Sequence, residues 1–354
     1  MNKVYKTNGA VRIRLAPGLN GRIVSTLAIN TQVASDDTTY VADNVRWKKV
    51  DAWIAEQFLS PVSAEVPPTA GNKLGLHVLP GVHENSLLGM MSRLSNAKKP
   101  IPAVLLAFVA DGRRPISVSK IKSVSPSTKV FVRMLTGNDY QRNWDTASRY
   151  DGKRYFEAHK GLIDADMRMA DYIQYYDLNE PAHGIGTNEW YEGVLDGADE
   201  SNVKLAIYNF SVGNPGLPGE PRGDNWFWTH QSTHNLLRRV KRDGHAFCLH
   251  QYSLGGNWYN EYDMLRHRKI YPHLPADLRD IPLWLNEFGV THITGQSYGD
   301  KGQFMARLKI AQAELSKSPS ATAMLWTLGD SGGWSADQFD HMLDVYEQFA
   351  LEAQ

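Results

Sequence analysis

Cysteine is almost absent from this chain of 354 residues. The single cysteine, Cys248, lies in the apolar run Ala246-Phe247-Cys248-Leu249. A lone cysteine excludes an internal disulfide, so cysteine content does not indicate the redox compartment in which the protein works. Apolar neighbours predict a buried, small hydrophobic residue here, and they argue against a reactive thiolate.

Other features missing from the sequence exclude whole classes of protein. The 38 basic residues are balanced by 38 acidic residues, which argues against a nucleic-acid-binding protein. No apolar run reaches the roughly 18 residues that a membrane-spanning helix needs. Residues 1–6 lack the apolar centre of a secretory signal. Either the protein is not exported by that route, or a signal has been removed.

One nucleophile motif and one metal-ligand pattern are also missing. The sequence contains no Gly-x-Ser-x-Gly elbow, which disfavours an esterase of the α/β-hydrolase type. His77, His83 and Glu84 could suggest a metal site completed by His250. The spacing of His77 and His83 is not a usual His-x-His or His-Glu-x-x-His ligand pattern, so we expect neither a metal nor another cofactor.

Aromatic residues, in contrast, are plentiful. The chain has 10 tryptophans and 16 tyrosines, and 42% of its residues are hydrophobic. That apolar content is enough for a sizeable core. Flat aromatic surfaces also suit the C–H faces of sugar rings, so aromatic-rich pockets favour a saccharide ligand.

The chain divides into three parts by pattern. Short alternating segments at hairpin spacing over residues 1–60 predict a small all-β barrel. Residues 61–71 are rich in proline and have no apolar period, which is typical of a linker. Residues 72–354 form the third and largest part, where apolar segments alternate with amphipathic stretches.

Eight predicted strands in this third part indicate its fold. They are residues 74–79, 103–109, 130–135, 172–178, 204–208, 246–249, 283–285 and 322–326. Continuously apolar strands that alternate with helices are typical of a parallel sheet covered on its faces. We therefore predict a (β/α)8 TIM barrel. A doubly wound nucleotide-binding sheet is disfavoured, because Gly81 stands alone where a glycine-rich fingerprint would lie.

Two glutamates end predicted strands of this barrel. Glu180 follows the fourth strand and precedes Pro181, and Glu287 ends the seventh and is followed by Phe288-Gly289. Because the carboxyl ends of barrel strands form the active site, both carboxylates are expected at one opening. Two such carboxylates can act as acid/base and nucleophile on a glycosidic bond, and a separation of about 5–5.5 Å would mean retention of configuration.

Residues 72–354 resemble the clan A glycoside hydrolases, which are retaining (β/α)8 enzymes with glutamates after strands four and seven. Asn179-Glu180-Pro181 matches the acid/base motif of that clan, and residues 284–289 match its nucleophile motif. The remaining matches lie on strands three, six and eight: Arg133, His250 with Tyr252, and Trp326.

The resemblance implies a role for each of these residues. Glu287 attacks as a carboxylate, and Arg133 and Tyr252 favour its ionised form. Glu180 begins protonated, donates its proton to the leaving oxygen and then accepts one from water. The substrate-binding residues are expected to be Asn179 at the sugar 2-hydroxyl, Trp326 beneath the ring, His250, and His77 at the end of strand one.

Residues 4–60 resemble the bacterial Src-homology-3-like module. The matching features are Val-Arg-x-Arg at 11–14, Pro17-Gly18, a central apolar strand, Trp-Lys-Lys-Val at 47–50 and Trp-Ile at 53–54. The resemblance implies docking onto cell-wall material or a partner. The alternative is a structural barrel without a ligand.

The sequence therefore predicts a retaining β-glycoside hydrolase with a polysaccharide substrate, such as a microbial cell-wall glycan or exopolysaccharide. A plant-type β-glucan, mannan or xylan stays open. The wall-binding resemblance implies action outside the cell or at its envelope, although residues 1–6 carry no export signal. The alternatives are a non-catalytic glycan-binding barrel and a phage-type lysin acting on the cell wall.

Overall fold

The computed structural model describes most of the chain. The residues outside its description are 1–2, 8–10, 15, 17–22, 28–31, 36–37, 44, 50–52, 56–58, 62–70, 109–112, 135–144, 176–183, 185, 221–224, 254–257, 262, 291–296, 319, 331–336 and 354. The chain divides into two compact units, Met1–Pro67 and Pro68–Gln354. The predicted linker falls mostly among residues outside the description, so its bounds remain a prediction.

The first unit is all-β in its described residues. Its strands are β1 (Lys3–Thr7), β2 (Val11–Arg14), β3 (Ile23–Leu27), β4 (Gln32–Ser35), β5 (Thr39–Ala42), β6 (Val45–Lys49), β7 (Trp53–Ala55) and β8 (Leu59–Pro61). They pair antiparallel in a three-stranded sheet, β4-β1-β8, and a five-stranded sheet, β3-β2-β7-β6-β5. The predicted small β unit is confirmed, and the Src-homology-3-like assignment stays a prediction.

The second unit contains eight parallel strands. They are β9 (Leu74–Val78), β10 (Ala103–Ala107), β11 (Lys129–Met134), β12 (Tyr172–Tyr175), β13 (Ala206–Phe210), β14 (Ala246–Ser253), β15 (Leu283–Val290) and β16 (Ala321–Leu328). Their order in the sheet is β12-β11-β10-β9-β16-β15-β14-β13. A bridge between Ile173 and Leu205 joins the two end strands and closes the barrel.

One helix follows each barrel strand. The helices are α1 (Glu84–Asn96), α2 (Val118–Val124), α3 (Arg149–His159), α4 (Thr187–Glu200), α5 (Gln231–Asp243), α6 (His267–Ile270), α7 (Lys301–Ser316) and α8 (Leu343–Glu352). This alternation confirms the predicted (β/α)8 TIM barrel. Side-chain caps fix several helix starts. In α7, for example, Asp300 Oδ1 accepts from the Gln303 N–H at 2.8 Å.

Apolar side chains form two layers around the strands. The outer layer lies between strands and helices, and the inner layer fills the barrel. The inner layer combines small residues, such as Ala103 and Ala246, with the larger Phe131 and Met324. Cys248 belongs to this layer and is fully buried, which confirms the sequence prediction. Burial raises the pKa of its thiol, so it is no candidate nucleophile.

Candidate active site at the carboxyl end of the barrel

All eight strands run parallel, so their carboxyl ends meet at one opening of the barrel. Six of the predicted site residues lie toward that end of their strands. They are His77 on β9, Arg133 on β11, His250 and Tyr252 on β14, Glu287 on β15 and Trp326 on β16. Asn179 and Glu180 lie outside the described residues, a few positions beyond the end of β12.

The Glu287 carboxylate is held at both of its oxygens. Arg133 Nη1 donates to Oε1 at 2.5 Å, and His250 Nδ1 lies 3.2 Å from Oε2. The remaining imidazole nitrogen, His250 Nε2, lies 3.4 Å from Arg133 Nη2. A guanidinium can only donate, so Nε2 accepts from Arg133 and Nδ1 donates to Glu287.

This triangle is largely shielded from water. Arg133 is 3% exposed, His250 1% and Glu287 6%. A buried carboxylate stays charged only when paired and hydrogen-bonded, and both conditions are met here. The arrangement therefore presents an ionised, fixed carboxylate at the end of strand seven, as nucleophilic catalysis requires.

Trp326 is placed by contacts from one earlier and one later segment of the chain. Its indole Nε1 donates to Asp337 Oδ2 at 3.2 Å, and its backbone carbonyl accepts from the Tyr298 hydroxyl. Gly289 makes the second contact possible. Its φ of +137° favours glycine, and a Cβ there would overlap the Tyr298 hydroxyl. The close approach of the Tyr298 hydroxyl therefore explains why the Glu287-Phe288-Gly289 motif has a glycine at its last position.

His77 supports the tryptophan from inside the barrel. Its ring centroid lies 4.4 Å from that of Trp326, and its Nδ1 lies 3.3 Å from Thr327 Oγ1. Burial, and then the nearby charge of Arg133, hold the pKa of His77 well below its ordinary value, so the ring is neutral. The residue has no exposed surface. In this geometry it underlies Trp326.

Three amide side chains meet inside the barrel beside the glutamate. Asn286 Nδ2 donates to Gln174 Oε1 on β12 at 2.9 Å and to Asn209 Oδ1 on β13. All three residues are fully buried. Asn209 and Asn286 lie directly after the predicted strands 204–208 and 283–285, and Gln174 lies inside the predicted strand 172–178. Polar residues within otherwise apolar strands are the signal that could have found this group.

Shifts in the pairing register of the strands determine the direction of several of these side chains. The pairing register shifts between Tyr208 and Phe210, and Asn209 adopts a left-handed φ of +49°. Similar shifts occur between Leu249 and His250 and between Leu285 and Phe288. Bulges bend a strand and redirect a side chain, and they are frequent beside active sites. Beyond the shift, Tyr252 stands in register with Gly289, at the barrel opening.

Other tryptophans of this aromatic-rich chain are part of the packing. Trp228 is fully buried, and Trp258 packs edge-on against Phe288. Both therefore belong to the core and offer no surface to a sugar. Trp334 lies outside the described residues. Among the residues that the structure describes, no three His, Cys, Asp or Glu side chains are arranged to hold a metal ion.

Comparison with known proteins gives a likeness of fold only. No protein-family profile matches the sequence, and no curated protein matches it. A family 39 glycoside hydrolase from Bacteroides cellulosilyticus WH2 aligns with a TM-score of 0.44 and 13% identity, over 96% of this chain and 72% of its own. A family 128 endo-β-1,3-glucanase from Amycolatopsis mediterranei gives 0.41 and 12%, over 79% and 100%.

A third structure belongs to a different chemistry. The carboxyl transferase domain of pyruvate carboxylase from Rhizobium etli aligns with a TM-score of 0.35 and 11% identity, over 78% of this chain and 47% of its own. Likenesses this weak assign no activity, because one barrel fold serves many reactions. Any activity therefore has to be inferred from the residues of the site itself.

Proposed function

We propose that this chain is a retaining β-glycoside hydrolase that cleaves a β-linked polysaccharide by double displacement. The observation that carries the proposal is the buried Glu287 carboxylate at the end of barrel strand seven, paired with Arg133 and bonded by His250. Such a group is fixed, ionised and placed where barrel enzymes carry out their chemistry. Glu180 is the proposed acid/base, from the end of strand four.

The reaction has two balanced steps. In the first, a Glu287 oxygen forms a bond to the anomeric carbon while the glycosidic C–O bond breaks, and the leaving oxygen takes the Glu180 proton. In the second, a water oxygen attacks the same carbon, its proton passes to Glu180, and the ester bond to Glu287 breaks. Both carboxyl groups return to their starting states, and the configuration is retained.

The proposed substrate contacts combine this geometry with the sequence resemblance. Trp326 offers an aromatic floor, supported by the neutral ring of His77 at 4.4 Å. Asn179 is proposed to bond the sugar 2-hydroxyl, and Tyr252 and His250 to complete the pocket around the reacting ring. The full burial of His77 favours a supporting role beneath Trp326 over direct contact with the sugar.

A polymer substrate is favoured by the long segment between β13 and α5. Its described part is anchored by Arg266, whose Nη2 donates to the Pro215 carbonyl at 2.8 Å and pairs with Glu220 at 3.2 Å. An ordered wall beside the barrel opening suits an extended ligand. A microbial cell-wall glycan or exopolysaccharide is the target that the first unit suggests, if that unit binds cell walls.

The decisive experiment screens a panel of β-glucans, xylan, mannan and peptidoglycan for release of reducing ends. On the glycan that responds, Glu287→Gln and Glu180→Gln should each lose about a thousandfold or more in kcat/KM. Glu200→Gln, an exposed glutamate on α4 paired with Lys153, is the matched control and should keep full activity. Unchanged hydrolysis by Glu287→Gln would exclude the nucleophile assignment.

Two readouts separate the mechanism from its alternatives. Proton NMR of the first product should show the β-anomer, whereas initial release of the α-anomer would mean inversion. In Glu287→Ala, azide added with an aryl β-glycoside should give the α-glycosyl azide, because it attacks from the face that the carboxylate occupied. Tight glycan binding without any turnover would support the non-catalytic barrel, and selective cleavage of peptidoglycan would support the lysin.

The first unit is tested separately. We propose that it binds cell-wall material, as its resemblance implies. A chain lacking residues 1–67 should then bind whole cell walls more weakly than the full chain, while its kcat on a soluble substrate stays the same. Equal retention of both chains on cell walls would leave the unit as a structural barrel.

A further inference from the structure

A second pocket lies at the opposite end of the barrel from Glu287. It has a volume of about 490 Å³ and is lined by Arg279, Asp280, Pro282, Trp284, Ser320 and Thr322. These residues come from the amino-terminal ends of β15 and β16 and from the segment that leads into β15. Glu287 lies about 10 Å farther along the same strand, so the two sites are separate.

An aromatic surface forms one side of this pocket. The Trp284 ring is only partly buried, and its inner side packs against Phe131 at 5.1 Å and Tyr172 at 6.2 Å between ring centroids. Packing on the inner side fixes the indole, while its outer side faces the pocket. A rigid, flat, apolar surface of this kind suits stacking by a sugar ring.

Polar groups of both kinds surround the indole. Arg279 is exposed but held, because its Nε and Nη2 donate to the carbonyls of Leu274 and Pro272 at 3.1 and 3.4 Å. Asp280 accepts from Lys241 Nζ at 2.5 Å with one of its oxygens. The hydroxyls of Ser320 and Thr322 add groups that both donate and accept. Neighbouring hydroxyls of a sugar ring can both donate and accept, so they can bond to donors and acceptors that lie side by side.

The charge of the pocket also selects among ligands. Arg279 and Asp280 carry opposite charges, and Lys241 pairs with Asp280, so the pocket has no excess of negative charge for a cation. The four polar side chains make a purely apolar ligand unfavourable, because it would desolvate them without replacing their hydrogen bonds. A neutral, hydroxyl-rich ring fits the remaining requirements.

We propose that this pocket is a second saccharide-binding site, in which a sugar ring stacks on Trp284 and bonds Arg279, Asp280 and Thr322. Binding at this site is independent of catalysis at Glu287. That the bound saccharide belongs to the polymer cleaved at the other end rests on the proposed function. A site at this end would hold the enzyme on its substrate while the opposite opening performs the reaction.

The test uses the full chain labelled with 5-fluorotryptophan in the Glu287→Gln background, followed by fluorine NMR. The 10 tryptophans give separate reporters, and the Trp284 and Trp326 signals are assigned through Trp284→Phe and Trp326→Phe. The probes are the tetrasaccharides of β-1,3-glucan, β-1,4-glucan, xylan, mannan and chitin. At least one probe should move the Trp284 signal in a saturable way.

Variants of the pocket lining test whether the change in the Trp284 signal comes from saccharide binding in this pocket. Arg279→Ala and Thr322→Ala should each weaken the Trp284 response about fivefold, the value of one hydrogen bond. Arg238→Ala is the matched control. It removes an exposed arginine that pairs with Asp277 outside the pocket lining, and it should change the affinity less than twofold. These variants decide the matter even if Trp284→Phe fails to fold.

The two proposals fail in different ways. Movement of the Trp326 signal alone, with Trp284 silent for every probe at about 10 mM, overturns the second site and leaves the proposed function intact. A Trp284 response that Arg279→Ala and Thr322→Ala leave unchanged also overturns it. Movement of Trp284 alone supports the second site, and the hydrolysis panel then judges the proposed function by itself.

Discussion

At the scale of single residues, the site depends on what surrounds one carboxylate. Burying an ionised carboxylate costs several kcal/mol unless a partner offsets the loss of water. Arg133 and His250 supply that offset for Glu287, each at a different oxygen. Arg133 also acts on His77, where its positive charge adds to burial in lowering the pKa of the ring. The Glu287 carboxylate is thereby kept charged, and the nearby His77 ring is kept neutral.

Asn286 is predicted to position the glutamate that follows it. In Asn286→Ala, Gln174 and Asn209 lose the donor that links strands four, five and seven. Since a displacement of about 1 Å can cost about a hundredfold in rate, kcat should fall ten- to a hundredfold with KM little changed. Steady-state kinetics on the responsive glycan, well below the melting temperature of the variant, measure this split.

The control for this change is Asn235→Ala. Asn235 is an exposed asparagine on α5, and its side-chain oxygen accepts from Gln231 on the same helix. It should leave kcat and KM within twofold of the parent. A parent-like kcat in Asn286→Ala, together with a lower melting temperature, would reduce the amide group to a purely structural role.

At the scale of elements, one pair of helices around the barrel packs with backbone directly against backbone. Helices α3 and α4 touch through glycines. A Cβ on Gly193 would overlap the Arg149 carbonyl, and a Cβ on Gly152 would overlap the Trp190 carbonyl. Backbone therefore lies directly against backbone, where no side chain can rotate away. Helix α4 begins at Thr187, soon after Glu180, so this contact fixes the element that follows the proposed acid/base.

Gly193→Ala is accordingly expected to destabilise the protein. Overpacking of a tight contact costs about 1–3 kcal/mol, which outweighs the roughly 1 kcal/mol that alanine gains over glycine in a helix. Denaturant unfolding should show a lower midpoint. The matched control is Gly89→Ala in α1, where the nearest atom to a new Cβ is the flexible Arg93 Nη1 at 3.4 Å. That variant should be neutral or more stable, and equal effects at both positions would contradict the packing argument.

At the scale of the whole molecule, buried histidines couple stability to pH. Burial, and then the charge of Arg268, lowers the pKa of His267 to about 3, and burial lowers the pKa of His77 and His245 as well. The two nitrogens of His267 contact Gln251 at 2.9 Å and Ser318 at 3.1 Å inside the barrel unit. These rings stay neutral in the folded state while the unfolded chain can protonate them.

The free energy of unfolding should therefore fall as the pH drops below about 6.5. The unfolded chain binds protons from that pH downward and the folded chain does not, so each such histidine costs about 1.4 kcal/mol per pH unit until its folded pKa is reached. Carboxylates with lowered pKa, such as Asp171, lose their contribution only near pH 4 and below. Urea unfolding between pH 7 and pH 5 isolates the histidine contribution.

A histidine variant tests how much His267 contributes to this pH dependence of the free energy of unfolding. His267→Gln should be less stable than the parent at pH 7 but should lose stability less steeply toward pH 5. His341→Gln is the control, because His341 is exposed and its replacement should leave the slope unchanged. An equally steep loss in His267→Gln would show that burial of this ring does not contribute to the pH dependence.

The sequence by itself determined the alternation of elements. Each of the eight barrel strands lies within two residues of its predicted start, because buried parallel strands are continuously apolar and need no distant information to be located. Two of the strands with bulges, β14 and β15, are longer than predicted. β14 continues to Ser253 and β15 to Val290, since polar residues such as His250 and Glu287 interrupt the apolar pattern without ending the backbone pairing.

Only the tertiary structure decided which side chains meet. The pairing of Arg133 with Glu287 joins residues 154 positions apart, and the contact of Asn286 with Gln174 spans 112. Such contacts depend on barrel closure and on single-residue register shifts, which redirect a side chain without leaving a mark in the local pattern. Composition and period could place the strands. The three-dimensional closure of the barrel determined that a charged glutamate, a neutral histidine and a tryptophan share one opening.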